Sequence, residues 1–181
     1  MSAPAAAWPL TVRLAEAAAG RPDTPLRRRL VADAATREAI AEELDLESLN
    51  RFEADLSLRG WFDGTVIDAR WSAEIVQICG VELEPFSTTL EGAFCVRVVP
   101  QGSVHAPDPD SEVTVDPEAD DPPDVLEGDA IDLSAYVLEH LALEIDPFPR
   151  RPGAVFEAPP APRESSPFDV LKTLKPSGGD Q

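Results

Sequence analysis

The sequence predicts an α+β fold in which an antiparallel β-sheet meander packs against one or two helices. Three segments in a row alternate apolar and polar residues with the period of a strand, and two other segments space apolar residues as a helix does. Nineteen prolines and a dense acidic run mark other parts of the 181-residue chain as loops or arms. The sequence therefore also predicts a flexible acidic insertion and a flexible C-terminal arm.

The strand signals lie in the middle of the chain. Apolar and polar residues alternate, as in half-buried strands, over residues 51–59, 67–75 and 90–98. Gly60 and Gly64 frame a turn, Pro85 marks a break, and Gly92 is expected to weaken the third strand or to mark a bulge. Because the connections are short, consecutive strands should pair antiparallel. Weaker strand signals lie at residues 10–14 and 28–32.

Two segments are predicted to be helical. The first covers about residues 34–45, with Asp33 or Thr36 as its N-cap. The second covers about residues 133–144, with Asp132 as its N-cap, and prolines soon after its end stop it. Its apolar stripe has the spacing i, i+4, i+8 and consists of Leu133, Val137 and Leu141.

We expect residues 1–157 to form a single domain and residues 158–181 to form a flexible arm rich in proline and serine. Residues 107–128 are interpreted as a flexible acidic loop, because their prolines and like charges cannot bury enough apolar surface to offset the entropy of ordering. That loop is either a solvated spacer or an interaction segment for a basic partner. The arm carries a short amphipathic segment with the apolar residues Phe168, Leu171 and Leu174. This segment needs a surface to dock on, either this protein's own sheet or an assembly partner, and the flexible arm favours the partner.

Composition excludes several classes of protein. The chain has 34 acidic and 15 basic residues, a net charge of −19, which argues against a sequence-independent grip on nucleic acid. It contains no apolar run long enough for a transmembrane helix and no secretory signal. Two cysteines are too few for a disulfide scaffold. The expected location is the cytoplasm, with no membrane contact and no small-molecule substrate.

The sequence carries few signs of catalytic chemistry. The sequence has no phosphate-binding loop, dinucleotide fingerprint or nucleophile elbow, so no enzyme activity, metal or cofactor is predicted. Cys79 and Cys95 form no CxxC pair, and both are expected to be small buried side chains. His140 is expected to be a partly exposed helix residue rather than a ligand. The three tryptophans do not alternate with basic residues, so no stacking platform for bases is predicted.

The chain has a few basic clusters that are able to contact phosphate. The same clusters could instead be a solubilising face or an internal partner for the acidic loop. Both interpretations stay open for Arg27, Arg28, Arg29, Arg150, Arg151, Lys172 and Lys175.

Three motifs together resemble one protein family. The run from Gln77 to Pro85 is similar to Q-x-C-V-V-T-L-E-P, residues 131–154 are similar to I-D-L…E-x-L-A-L…D-P-Y-P-R-K-P-G-A, and residues 167–175 are similar to P-F-A-x-L-x-x-L-K. These are the motifs of the bacterial YceD-like family of large ribosomal RNA subunit accumulation proteins. Matching positions in the first two motifs are Gln77, Cys79, Leu83, Glu84, Pro85, Asp132, Leu133, Leu141, Leu143, Asp146, Pro147, Pro149, Arg150, Pro152 and Gly153.

The resemblance implies a role in ribosome biogenesis, namely the accumulation of large-subunit ribosomal RNA. Many relatives carry a C-x-R-C pair where this chain has Cys79-Gly80-Val81-Glu82, so a metal or redox role does not carry over. The leading hypothesis is a non-catalytic assembly factor that binds a basic ribosomal protein or a ribosome precursor. One alternative is direct RNA contact through Arg27–Arg29 and Arg150-Arg151, and a remote one is a metal-dependent hydrolase acting on RNA.

Overall fold

A computed structural model describes residues 8–107 and 121–156, together with the backbone of Ala5–Ala6. Within these residues the α+β class is confirmed, with eight strands and three helices. The strands are β1 Ala5–Ala6, β2 Thr11–Arg13, β3 Leu26–Val31, β4 Ser48–Trp61, β5 Gly64–Ile78, β6 Pro85–Pro100, β7 Asp124–Leu126 and β8 Ala130–Asp132. The helices are α1 Leu14–Ala18, α2 Ala34–Glu43 and α3 Leu133–Glu144.

The predicted meander forms the centre of a six-stranded sheet with the order β1-β3-β4-β5-β6-β7. Strands β3, β4, β5 and β6 pair antiparallel with one another. The short connections predicted this for β4 to β6, whereas β3 and β4 are joined through α2. The sheet is not wholly antiparallel, because the short edge strands β1 and β7 pair parallel with β3 and β6. A separate two-stranded sheet joins β2 to β8, close to the start of α3.

The two predicted helices are confirmed, with their N-caps. The Asp33 carboxylate accepts from the backbone N–H of Thr36 at 2.8 Å at the start of α2. The Asp132 carboxylate accepts from the backbone N–H groups of Ser134 and Ala135 at the start of α3. The five-residue helix α1 was not predicted, since one short turn of LAEAA shows no apolar period. No helix in these described ranges is long and apolar enough to cross a membrane.

All three helices pack on one face of the main sheet. Alternation places the apolar side chains of β4 and β5 on this face, directly opposite one another across the ladder. Ala17 of α1, Ile40 of α2 and Val137 of α3 complete the same core. The other face of the sheet carries mostly polar side chains, with Val66 buried among them, and no described helix packs on it. The largest fully buried side chains are Phe52, Leu30, Leu56, Leu58, Ile67, Ile75, Ile131, Leu133 and Leu141.

Gly92 has a different role from the one expected. The pairing of β5 with β6 runs without a break past Trp71 and Gly92, so there is no bulge at this position. The indole ring of Trp71 instead lies against Gly92, where an added Cβ atom would be 2.6 Å from two ring carbons. The glycine therefore leaves room for a buried tryptophan. The register shift that the sheet does contain falls in β4, between Leu49 and Arg51.

The interpretation of residues 107–128 as one flexible loop is wrong at its C-terminal end. Residues 124–126 form β7, whose backbone pairs with β6. Two interactions hold the strand: Leu126 packs against the core, and the Tyr136 hydroxyl donates to the Asp124 carboxylate at 2.8 Å. The middle of the acidic loop, residues 108–120, and the C-terminal arm from residue 157 lie outside the described residues.

Candidate binding surfaces

Two of the motif segments contact each other in the structure. The side-chain amide of Gln77 donates to the carbonyl of Asp146 at 3.0 Å, and the N–H of Gly80 donates to the carbonyl of Pro149 at 2.9 Å. The N–H of Arg151 points to the Cys79 sulfur at 3.4 Å. The β5–β6 loop and the segment after α3 are therefore tied together at one end of the sheet, and we call this contact the motif junction.

Arg151 is held inside this junction. Its guanidinium lies 3.0 Å from Glu82 and 3.2 Å from Glu84, and it also donates to the carbonyl of Pro85 at 2.9 Å. Arg150, by contrast, is exposed and makes no ion pair with the described residues. The two adjacent arginines thus differ: the structure uses one to join the motif segments and leaves the other facing solvent.

The two cysteines also differ. Cys79 is buried, as expected, and hydrogen bonds from the backbone N–H groups of Arg151 and Glu82 lower the pKa of its thiol. The expectation that Cys95 is buried is wrong, because its side chain is on the uncovered face of the sheet. Partial desolvation and the neighbouring Asp68 carboxylate nevertheless raise the pKa of that thiol.

The apolar motif residues fall into two groups. Leu133 and Leu141 are fully buried in the core. Leu83 and Leu143 are 77% and 76% exposed, and neighbouring Phe148 is 79% exposed. Leu133 and Leu141 therefore have a role in core packing, whereas Leu83 and Leu143 contribute to the surface around the motif junction.

An acidic cleft lies beside this junction. Its volume is about 600 Å³, and the residues that end α2 and α3 form two of its sides. The carboxylates of Asp45, Glu47 and Asp146 line it, together with apolar side chains such as Ile78 and Ile145. Because the C-terminal end of a helix carries partial negative charge, both helix ends add to the negative potential of the carboxylates. The arrangement is suited to a cation with an apolar stem, such as lysine or arginine.

The arginines of β3 do not form one patch. Arg27 and Arg29 lie on the uncovered face of the sheet, whereas Arg28 lies on the helix face and forms an ion pair with Glu16 of α1. This division follows from the strand period of two. Across the sheet, Arg27 is level with Asp68 of β5. Ile78, at the end of β5 next to the Arg150-Arg151 segment, lies ten residues further along that strand. At ~3.3 Å per residue, Arg27 and the Arg150-Arg151 pair are therefore roughly 30 Å apart.

We call the uncovered side of β3 to β6 the open face. Six arginines and five carboxylates project from it, so it has one positive charge in excess, while the rest of the chain carries −20. Several of these groups pair, as in Arg29 with Glu53 at 3.0 Å. Arg27 and Arg70 form no ion pair with the described residues and line a cavity of about 680 Å³. The charged residues are Arg27, Arg29, Arg51, Arg59, Arg70, Arg97, Glu53, Asp55, Asp68, Glu74 and Glu91.

An aromatic cluster stands at one end of the open face, around the turn between β4 and β5. Phe62 stacks on His105 with ring centroids 3.9 Å apart, and Trp61 meets Phe62 edge to face at 4.8 Å. The guanidinium of Arg97 lies 5.5 Å from the Trp61 ring centroid. We call Trp61, Phe62, His105 and Arg97 the aromatic hairpin. No local pattern predicted it, because these residues come from three separate segments, although two adjacent aromatic residues at a turn are an unusual feature.

His140 is half-buried on α3, in line with the sequence prediction. Its ring stacks on Phe94 with centroids 3.9 Å apart, and its Nδ1 lies 2.8 Å from the carbonyl oxygen of Tyr136. No cluster of three potential metal ligands occurs among the residues that the structure describes. The amphipathic residues of the C-terminal motif, Phe168, Leu171, Lys172, Leu174 and Lys175, lie outside them.

Comparison with known proteins gives one match. The model of a protein family described as "Large ribosomal RNA subunit accumulation protein YceD" matches residues 67–175, more than half of the chain. The matched range starts in β5 and includes all three motifs. No curated protein and no solved structure matches the chain.

Proposed function

The chain belongs to the YceD family of large ribosomal RNA subunit accumulation proteins, and on that premise we propose that it is a non-catalytic factor of ribosome biogenesis. The family has a role in the accumulation of large-subunit ribosomal RNA. We propose further that the protein acts in the cytoplasm by binding a basic ribosomal protein, free or within a precursor of the large subunit. The acidic cleft is the surface that we assign to this partner.

The observation that supports this proposal is the position of the cleft. Motif residues Gln77, Asp146, Pro147 and Pro149 form part of its wall, so the segments that define the family also build it. Around it the helix side of the protein presents further exposed carboxylates, among them Glu38, Glu42, Glu43, Glu139 and Glu144. A surface of this sign attracts basic proteins and steers their association.

The test is a binding titration with purified basic proteins of the large subunit. We expect the double variant Asp45→Asn/Glu47→Gln to weaken binding about tenfold, because it removes two carboxylates that face the bound cation. The matched control is Glu74→Gln/Glu91→Gln, which changes the net charge equally but lies on the open face. If both variants weaken binding equally, only overall charge matters and the cleft is not the site.

A second test addresses the role in cells. Loss of the gene should lower the amount of mature large-subunit ribosomal RNA, and the wild-type chain should restore it. The cleft variant should restore it poorly, whereas the control variant should restore it fully. Specific cleavage of ribosomal RNA by the purified protein with Mg²⁺ would contradict the proposal that the factor is non-catalytic.

A further inference from the structure

The aromatic hairpin and the open face lie side by side, and we propose that together they bind single-stranded RNA. In this arrangement an unpaired base stacks on Phe62, and phosphates of the same strand contact Arg27 and Arg70. Both Phe62 and Arg27 precede the range that matches the family, which starts at residue 67. The site lies on the opposite side of the sheet from the acidic cleft, so a substitution can abolish RNA binding without affecting binding of the basic protein, and the reverse.

Phe62 is unusually placed for a side chain with a purely structural role. It is 72% exposed, and its backbone has a φ of +50°, a conformation that is unfavourable for a bulky residue. The surrounding contacts hold it there: its ring stacks on His105, and the Ser103 hydroxyl donates to the Asp63 carboxylate at 2.9 Å. The turn therefore presents a fixed aromatic ring to solvent at an energetic cost, which is typical of a functional position.

The ring is suited to stacking because one of its faces is covered and the other is available. His105 occupies the covered face at 3.9 Å, and Trp61 contacts it edge on. Stacking on aromatic side chains is the common way in which proteins hold unpaired bases, and it does not depend on the sequence of the RNA. An aromatic ring whose back is supported by two others loses little freedom when a base binds.

The open face supplies cations at a suitable distance. Arg27 is paired in register with Ser57, which lies four residues before Trp61 on β4. Along the strand direction, Arg27 and Trp61 are therefore about 13 Å apart. Arg70 lies one rung further and faces the same cavity of about 680 Å³. Since neither forms an ion pair with the described residues, both guanidinium groups are available for a phosphate.

The charge balance favours a short single strand over a duplex. The carboxylates Asp55 and Asp68 stand between the arginines, so a dense double row of phosphates would meet repulsion as well as attraction. The charge of −20 elsewhere on the chain acts weakly at this face, because screening at physiological salt extends over only about 8 Å. Duplex RNA also hides the base faces that Phe62 would contact.

The experiment is fluorescence anisotropy with the full chain and a labelled single-stranded RNA of about 12 nucleotides of mixed sequence, a length within the usual site size. We expect Phe62→Ala to weaken binding about tenfold, the usual effect of losing one stacked base. We expect Arg27→Ala and Arg70→Ala to weaken it several-fold. With about two phosphates contacted, log K should fall against log salt with a slope of roughly −1.4, and each arginine variant should reduce that slope by about 0.7.

Matched controls lie at the other end of the molecule. Phe148→Ala removes an equally exposed phenylalanine, and Arg150→Ala removes an exposed arginine that pairs with no described residue. Both should bind RNA as the wild type does, and so should the cleft variant Asp45→Asn/Glu47→Gln. Quenching of Trp61 fluorescence by the RNA, lost in Phe62→Ala, provides a second readout.

Three results would overturn the proposal. Equal or tighter binding of the corresponding duplex would show that stacking on Phe62 is not the basis of recognition. Equal loss in the matched controls would show a nonspecific charge effect. If Phe62→Ala and Arg70→Ala leave RNA affinity unchanged but reduce binding of the basic protein, the open face is a protein interface instead.

Discussion

The close contact between Gly92 and Trp71 gives the sharpest test of how the core is packed. The indole ring of Trp71 is only 4% exposed and meets Phe52 edge to face, with centroids 6.5 Å apart. A Cβ atom on residue 92 would lie 2.6 Å from the ring carbons Cε2 and Cζ2 and 2.8 Å from Nε1. The substitution Gly92→Ala therefore forces the ring to move within a filled core.

The cost follows from the size of this overlap. Carbon atoms pack at about 3.5–4.0 Å, so the ring has to retreat by roughly 1 Å. Overpacking of this kind costs about 1–3 kcal/mol, and alanine returns about 0.4–1 kcal/mol by restricting the unfolded chain. We expect a net loss of about 1–2 kcal/mol, which corresponds to a fall in Tm of roughly 3–6 °C for a domain of this size.

The assay is urea denaturation of a double-mutant cycle. Trp71→Phe removes the ring atoms that the added Cβ atom would contact, so the two substitutions together should cost less than the sum of their separate effects. Gly80→Ala is the control, since the nearest atom to its added Cβ would be the carbonyl oxygen of Pro149 at 3.6 Å. Wild-type stability of Gly92→Ala, or an unchanged cost of this substitution in the Trp71→Phe background, would show that contact with the indole ring does not limit residue 92.

Other features give further predictions. Hydrogen bonds from Thr36 at the α2 N-cap lower the pKa of Asp33 from 3.8. The ionised Asp33 carboxylate therefore stabilises the protein above this pH, and the stabilisation is lost as pH falls through the lower pKa of the folded state. Plots of Tm against pH for the wild type and Asp33→Ala should converge below about pH 4. Maleimide should label exposed Cys95 in the native protein and Cys79 only after unfolding, despite the lower pKa of Cys79, and equal native rates would contradict the buried position. Tyr136→Phe should speed amide exchange in β7 by removing the bond to Asp124, and unchanged protection would show that pairing with β6 suffices.

Local patterns in the sequence were enough to predict the centre of the fold. The alternation over 51–59 and 67–75 indicates which side chains of β4 and β5 face the core, and these two strands pair antiparallel as predicted. Both long helices begin at the predicted aspartate caps, since an N-cap and the amides it binds are only two or three residues apart. Such features need no knowledge of the rest of the chain.

Features that depend on distant partners could not be predicted. Strand β7 is three residues long and exists because β6 offers an edge and Tyr136 supplies a hydrogen bond. The exposed position of Cys95, by contrast, could have been predicted, because Cys95 alternates in phase with Glu91 and Arg97 and out of phase with Phe94 and Val96; the expectation of burial came from residue type alone. The open face collects its six arginines from four strands, so the overall charge of −19 concealed a surface whose charges nearly balance.

The pairing of β2 with β8 has a consequence for the order in which the chain folds. Thr11 is paired with Asp132, and the N–H of Leu10 donates to the Ser134 hydroxyl at 2.6 Å, whereas the hairpins of β4 to β6 close over short turns. At about 5–20 residues per second, a ribosome takes roughly 6–24 s to make the chain between these partners. The apolar residues Val12, Leu14 and Ala17 therefore lack part of their covering while the meander is already able to form. During synthesis, this early segment therefore exposes apolar surface until β8 and α3 have been made.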